Sequence, residues 1–250
     1  MRALTDQDRL ILLNLVPDVG STRLRRLLDA FGGLEGIWTA SVQALQQVEG
    51  IGPVIARRIH AGRDDTARLD QERTLAERHG VTIVTLGEAQ YPQALTSIPD
   101  PPLVVYVKGT LAEADQRAVS LVGARRASLY GLRCAEQLGY DLALRGITVV
   151  SGLARGIDGA AHTGALRASG RTLAVLGSGL TRVYPPEHTT LAAHVVAHGA
   201  LISEYPMEMP PLAQNFPRRN RLISGLSCGV VIVEAATRSG ALITADCALE

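Results

Sequence analysis

The spacing of apolar residues changes near Gly80 and divides the chain into two parts. Through residues 1–79, apolar side chains recur every three or four positions, as at Leu10, Leu13 and Val16, which is the spacing of one helix face. After Gly80 the apolar residues form short β-branched runs, and a proline-rich loop between the first two runs stops any helix there. The pattern predicts a small all-helical domain over residues 1–79 and a second domain over residues 80–250.

The second part alternates apolar runs with helical segments. Residues 129–145 and 156–169 are predicted as helices between the runs. Apolar strands that alternate with helices indicate an α/β fold, with a mainly parallel sheet and helices on both of its faces. The runs predicted as strands are residues 81–86, 103–107, 118–122, 147–150, 172–176, 200–203 and 229–233.

One segment of the helical part has a more specific pattern, LQQVEGIGPVIA at residues 45–56, which fits a helix-hairpin-helix. A weaker copy occupies residues 13–20, with an aspartate in place of the first glycine. In such hairpins the glycines bring backbone N–H groups close to a DNA phosphate at a helix N-terminus. Gly50 and Gly52 are therefore predicted as a secondary DNA-binding site. The alternative is that the hairpin only mediates packing, because Glu49 would repel phosphate.

Composition and charge narrow the range of functions. The chain is 46% apolar and 20% charged with a net charge of +1, so any anion-binding site must be a local patch. No apolar run reaches the roughly 18 residues of a membrane span, and the N-terminus lacks a signal-peptide layout. We therefore expect a cytoplasmic protein that does not contact a membrane. The three cysteines are far apart and indicate neither disulfides nor a zinc site.

Common nucleotide, metal and catalytic motifs are not recognisable. Lys108 is the only lysine and has no P-loop around it, and Arg182 replaces the third glycine of a G-x-G-x-x-G-like turn, so neither ATP hydrolysis nor a dinucleotide cofactor is expected. His194 and His198 stand four apart on a predicted helix but lack a third metal ligand. No nucleophile is placed with a base. We expect no enzyme activity, no cofactor and no metal.

Glycine-rich turns follow several of the predicted strands, and these strand ends should meet at one edge of the sheet, where ligands bind. Glycine turns expose N–H groups, and guanidiniums make bidentate contacts with phosphate. Asp158 follows one turn and is predicted to cap a helix or to hold a neighbouring arginine. The edge is therefore predicted to bind an anion. The segments concerned are GARR from Gly123, SGLARGID from Ser151, RSGAL from Arg238 and the arginine-rich NFPRRNR from Asn215.

These segments, extended to SGLARGIDGAAH, FPRRNRLISGLS and RSGALITA, resemble the signature of the DNA-processing protein A family (DprA, also called Smf). The similarity runs through essentially the whole chain. It implies an extended Rossmann-like domain that binds single-stranded DNA without sequence preference, protects it and loads the RecA recombinase during natural transformation. The resemblance also implies a homodimer and no catalytic activity.

The resemblance also implies which residues hold the DNA. Phosphates would lie on guanidiniums and backbone N–H groups, and bases would be free to stack, with Phe216 and Tyr184 as the nearest aromatic rings. The family pocket falls on Gly123, Arg125, Arg126, Arg218, Asn220 and Arg221, with Arg155, Ser239 and Gly240 beside them.

The C-terminus of the chain departs from the pattern of this family. The chain stops inside a predicted helix, whereas members of this family usually continue through another strand and often a winged-helix domain. We therefore expect a truncated C-terminus, which leaves the dimer and RecA contacts unassigned.

Nucleotide-cleaving enzymes of the lysine-decarboxylase-like, cytokinin-activating type share the fold, but their Pro-Gly-Gly loop is missing here and Arg238 stands in its place. A protein-interaction scaffold with an incidental anion pocket is the third interpretation.

Overall fold

The computed structural model describes residues 3–237 and 239–249, and its first part is helical. Thr5 begins the first helix with a capping box, in which its hydroxyl accepts from the Asp8 N–H and the Asp8 carboxylate accepts from the Thr5 N–H. The helices of this part are α1 (Asp6–Leu15), α2 (Ser21–Phe31), α3 (Leu34–Thr39), α4 (Val42–Leu45), α5 (Pro53–Gly62) and α6 (Thr66–Arg78). The helical prediction for the N-terminal part is confirmed.

The strands of the described residues form one seven-stranded sheet in the order β1-β2-β6-β5-β4-β3-β7. The five strands from β6 to β7 are parallel, whereas β2 runs antiparallel to both of its neighbours. The strands are β1 (Val81–Thr85), β2 (Val104–Gly109), β3 (Ala118–Gly123), β4 (Thr148–Ser151), β5 (Thr172–Val175), β6 (Ala200–Ser203) and β7 (Val230–Glu234). Each lies on a run predicted as a strand, and the mainly parallel sheet is confirmed.

Helices cover both faces of the sheet, as predicted. One face carries α7 (Leu129–Leu144), α8 (Ile157–Arg167) and α9 (Thr189–His198), and the other carries α10 (Asn215–Gly225) and α11 (Gly240–Leu249). Alternation along β5 shows the two faces. Ala174 packs in the same core as Val195 of α9, while Leu173 and Val175 pack in the same core as Leu222 of α10.

The helical part shares its core with the sheet. The same hydrophobic cluster contains Leu13 and Leu27 from the first helices and Leu176 from the end of β5. A hydrogen bond also crosses between the parts, because the backbone N–H of Met207 donates to the Glu72 carboxylate at 2.8 Å. The helical part therefore packs directly on the sheet. The domain boundary at residue 80 stays a prediction, although it falls between α6 and β1.

Two similar hairpin turns occur in the helical part. Between α4 and α5, Gly50 has φ +83°, and Gly52 is the N-cap of α5. In the copy between α1 and α2, Asp18 has φ +68°, a left-handed conformation that aspartate tolerates better than most residues. Arg23 of α2 joins the two turns, since its guanidinium donates to the carbonyl oxygens of Asp18 at 2.6 Å and Gly50 at 2.9 Å.

Candidate nucleic-acid interface

A cleft opens at the carboxyl ends of the parallel strands. Its volume is about 720 Å³, within the range of about 300–1,000 Å³ that small-ligand pockets occupy. It lies between the turn after β3, the loop after β4, one side of α10 and the start of α11. The structure brings six of the nine residues predicted for the main DNA site together here: Gly123, Arg125, Arg126, Asn220, Ser239 and Gly240.

The turn after β3 presents two guanidiniums to the cleft. Gly123 is required there because a Cβ would overlap Ile157 and the carbonyl oxygen of Glu234. Ala124 fixes the turn, since its N–H donates to the Glu234 oxygen at 2.7 Å and its carbonyl oxygen accepts from the Ile157 N–H at 3.2 Å. Arg125 and Arg126 follow on this fixed backbone with exposed side chains. The turn therefore holds positive charge at the mouth of the cleft.

A row of flat groups forms one wall of the cleft. The Arg125 guanidinium lies 5.1 Å from the centre of the Phe216 ring, a cation–π distance. The Phe216 ring in turn lies 5.6 Å from the Tyr184 ring at an interplanar angle of 47°. Phe216 comes from the first turn of α10 and Tyr184 from the loop after β5. Three distant segments thus place a guanidinium and two aromatic rings side by side.

The loop after β4 is held by Asp158. Its Oδ2 accepts from the backbone N–H groups of Gly152 at 3.1 Å and Ala154 at 3.4 Å. Burial raises the pKa of Asp158, and nearby Arg219 and the two N–H donors oppose that rise. Asp158 forms no ion pair with an arginine among the described residues. Asp158 lies in the first turn of α8 but binds N–H groups of the preceding loop, so its observed role is to hold that loop and not the predicted capping of the helix.

Arg219 was not predicted as a site residue, yet it forms the floor of the cleft. It is only 3% exposed, and its guanidinium donates to the carbonyl oxygen of Gly152 at 2.9 Å and to that of Val175. These oxygens lie after β4 and at the end of β5. Burial lowers the pKa of Arg219 to about 10, so the group stays charged at neutral pH. Its position between Phe216 and Ile223, at helical spacing, is the sequence signal for burial.

Three predicted arginines lie outside the cleft lining. Arg155 points to Glu187 and pairs with it at the surface. Arg218 is exposed on α10. Arg221 faces away from the cleft, where it pairs with Glu204 and lies 3.4 Å from the Asp100 carboxylate. Their contact with DNA stays a prediction, and these ion pairs do not favour it for Arg155 and Arg221.

The start of α11 closes the other side of the cleft. The Asn220 side-chain amide donates to the Gly240 carbonyl oxygen at 3.0 Å, which ties α10 to α11. The Ser239 hydroxyl accepts from the Ala241 N–H at 3.3 Å. Arg238, which argued against the nucleotide-cleaving enzymes, lies outside the described residues. Asn220 lines the cleft and also positions the first turn of α11.

The secondary pair, Gly50 and Gly52, lies at the hairpin of the helical part and outside the cleft. The Gly50 carbonyl oxygen is bound by Arg23, and the Glu49 carboxylate lies 3.4 Å from the Arg26 guanidinium. The acid that would repel phosphate is thus partly neutralised. Contact between this hairpin and DNA stays a prediction.

The other candidate chemical groups are structural where the structure describes them. The Ser151 hydroxyl is buried and donates to the Leu121 carbonyl oxygen at 2.6 Å. Glu234 accepts hydrogen bonds from Ser128, which lower the pKa of its carboxyl group. His198 bonds back to the His194 carbonyl oxygen. Over the described ranges no group of three metal-ligating side chains occurs, and no helix is long and apolar enough to cross a membrane.

An α/β sheet with an arginine-lined cleft at its carboxyl edge, preceded by two helical hairpins, defines a Rossmann-like protein that is suited to an anionic ligand. The chain belongs to the DNA recombination-mediator protein A family, whose model matches residues 82–250. Residues 10–65 match the helix-hairpin-helix motif. The resemblance to the DprA/Smf family is confirmed.

Relatives with these names align with most of the chain. Protein Smf of Escherichia coli is 52% identical over 161 residues, which are 64% of this chain and 43% of that protein. Protein Smf of Synechocystis is 40% identical over 241 residues, which are 94% of this chain and 60% of that protein. The chain therefore spans less than two thirds of the length of these relatives.

Solved structures agree with the fold. The X-ray structure of DNA processing protein A from Streptococcus pneumoniae superposes with a TM-score of 0.80 at 29% identity, covering 99% of this chain and 84% of that one. The Helicobacter pylori protein, solved to examine its single-stranded DNA binding mode, superposes with a TM-score of 0.60 at 30% identity, covering 67% of this chain and 76% of that one.

Proposed function

We propose that the cleft binds single-stranded DNA without sequence preference. The observation that carries this proposal is the wall in which the Arg125 guanidinium lies over Phe216, with Tyr184 beside it and Arg126 exposed next to it. Proteins that bind single strands combine cations along the backbone with rings on which bases stack. The solved relative from Helicobacter pylori has a single-stranded DNA binding mode, which supports the same ligand here.

The cleft divides the task between its parts. Arg125 and Arg126 supply exposed guanidiniums for phosphate, and each retains donors because a guanidinium carries five N–H groups. Arg219 adds a fixed charge at the floor, where burial reduces screening by solvent. Phe216 and Tyr184 offer ring faces, which every base can use. Phosphate contacts carry no base information, so binding follows the strand and not its sequence.

The wider role rests on family membership. We propose that the bound strand is protected and then passed to the RecA recombinase during natural transformation, by a cytoplasmic homodimer. The rate of RecA filament assembly on a single strand, with and without this chain, tests the loading role, and sedimentation equilibrium tests the dimer. An unchanged assembly rate would limit the function to binding.

We propose no catalytic step, because the acids near the cleft are bound to backbone or hydroxyl groups. Asp158 accepts two loop N–H groups and Glu234 accepts from Ser128. The nucleotide-cleaving alternative is tested by incubating the chain with nucleoside monophosphates and measuring free base. Base release that disappears in the Asp158→Asn variant would replace the binding proposal with an enzyme.

The direct test is fluorescence anisotropy with labelled single-stranded and duplex oligonucleotides of equal length across salt concentrations. We expect single-strand preference and a log–log salt slope of about −0.7 per phosphate contact. Arg125→Ala with Arg126→Ala should weaken binding to all sequences alike and make the slope shallower. The matched control removes Arg78 and Arg145, two exposed arginines at the ends of α6 and α7. Equal effects of both pairs, or equal binding of duplex, would contradict the proposal.

A further inference from the structure

The solvent-facing side of α2 carries three arginines. Leu24 and Leu27 of this helix are buried, at 1% and 0% exposure, so helical geometry turns Thr22, Arg23, Arg25 and Arg26 away from the core. Thr22 and Arg26 are exposed, and Arg23 and Arg25 are half-buried. We call these four residues the α2 surface. α2 has 11 residues and is about 16 Å long. The α2 surface can therefore hold more than one phosphate of a nucleic acid strand.

Direct contacts join the start of α2 to the helix that lines the cleft. Arg221 of α10, next to the cleft residue Asn220, donates to the Ser21 hydroxyl at 2.9 Å. The hydroxyls of Ser21 and Thr22 both donate to the Asp100 carboxylate at 3.1 Å, and Arg221 lies 3.4 Å from the same carboxylate. The N-terminus of α2 thus packs against the side of α10 that faces away from the cleft.

The arginines of the α2 surface are bound mainly by neutral groups. The Arg25 guanidinium donates to the Pro99 carbonyl oxygen at 3.0 Å, and that of Arg26 donates to the Glu49 carbonyl oxygen at 3.3 Å. These bonds fix the side chains without cancelling their charge, and each guanidinium retains other N–H donors. The Glu49 carboxylate, 3.4 Å from Arg26, offsets part of that charge. Arg23 holds both hairpin turns and is a structural member of the surface.

We infer that the α2 surface binds the phosphate backbone of the DNA strand where that strand leaves the cleft. The inference rests on the proposed single-strand binding in the cleft and extends its footprint. The inferred path crosses α10, whose Arg221 contacts Ser21 at the start of α2, and reaches Arg25 and Arg26. Arg26 contacts the Glu49 carbonyl oxygen, next to Gly50 of the hairpin. Contact is with phosphate alone, because the four residues of the surface include no aromatic ring. Asp29 and Glu49 lie beside the arginines and the Asp100 carboxylate accepts from Thr22, so we expect this second contact to be weaker than the cleft.

The test measures anisotropy of labelled oligothymidylates of increasing length, from roughly 4 to 30 nucleotides, a range that exceeds a single-strand site of about 4–16 nucleotides. For the unmodified chain we expect affinity to rise in two steps, first when the strand fills the cleft and again when it reaches the α2 surface. Arg25→Ala with Arg26→Ala should remove only the second step, lower the affinity for long strands about 3- to 10-fold, and reduce the salt slope by about 1.4. The control variant lacking Arg78 and Arg145 should keep both steps.

The outcomes separate this inference from the proposed function. If Arg125→Ala weakens the binding of short strands while the α2 variant binds strands of every length as the control does, the cleft binds DNA and the α2 surface does not. If the α2 variant weakens the binding of short and long strands equally, the substitutions act on the cleft indirectly, through the packing of α2 on α10, and the inference fails. Loss confined to duplex DNA would also overturn it. Arg25→Lys with Arg26→Lys should retain the second step because it keeps the charge, and an unchanged first step in the alanine variant excludes a folding defect.

Discussion

Arg218 and Arg219 are adjacent arginines, one exposed and one buried, and replacing each by alanine should change stability by very different amounts. Arg219→Ala removes hydrogen bonds to the carbonyl oxygens of Gly152 and Val175, both buried. Hydrogen bonds from a charged donor contribute about 1.5–3 kcal/mol each, and the desolvation of the buried guanidinium offsets part of the total. We therefore expect Arg219→Ala to lower the free energy of unfolding by about 3 kcal/mol. Arg218→Ala, on the exposed side of the same helix, should leave stability nearly unchanged.

The assay is urea and thermal unfolding followed by circular dichroism. For a chain of this length, 1 kcal/mol shifts Tm by about 2–4 °C, so Arg219→Ala should lower Tm by about 6–12 °C. Arg219→Lys separates charge from geometry, since one ammonium cannot reproduce the planar fork that spans two oxygens. Equal unfolding midpoints for the two alanine variants would refute the assignment of Arg219 to the floor of the cleft.

Three further predictions concern the cleft and the core. Phe216→Leu keeps an apolar side chain but removes the ring beneath Arg125, and should weaken single-strand binding about 5-fold in anisotropy; unchanged affinity would exclude stacking. Gly156→Ala should destabilise the fold by about 2 kcal/mol in urea, because Gly156 has φ +75° and a Cβ would overlap the Ala124 carbonyl oxygen; a neutral result would contradict that crowding. Burial lowers the pKa of His162 to about 3. Between about pH 6.5 and 3 the unfolded chain therefore binds one proton more than the folded chain, and the folded chain becomes less stable as the pH is lowered through that window. From pH 6.5 to 5.0 the unmodified chain should lose about 2 kcal/mol more than His162→Asn, and parallel pH profiles would contradict it.

Most of the sheet was predictable because its strands are apolar on both faces. Runs such as Val230–Glu234 have no competing helical period, so type and position follow from sequence. The reversed direction of β2 did not follow, because a strand buried on both faces has the same pattern in either direction. The strand order likewise depends on which helices cover each face.

The cleft was predictable at its turns and less so on α10. Gly123 and Arg125 follow a strand directly, so their place at the sheet edge is set by the fold. Arg218, Arg219 and Arg221 are chemically identical, and only the rotation of α10 about its axis separates them into exposed, buried and ion-paired side chains. That rotation is set by the packing of Leu222 on the sheet, which neighbouring residues in sequence do not reveal.

Consecutive residues of α10 contact different elements of the fold, and this limits which changes to the sequence the protein can tolerate. Arg219 supports the loops, Asn220 ties α11 and Arg221 fixes α2. One inserted or deleted residue would turn this segment by about 100° and misplace all of these contacts at once. Engineering of the proposed DNA affinity is therefore better directed at the turn after β3, where Arg125 and Arg126 project from a backbone held by other residues and can change independently of the core.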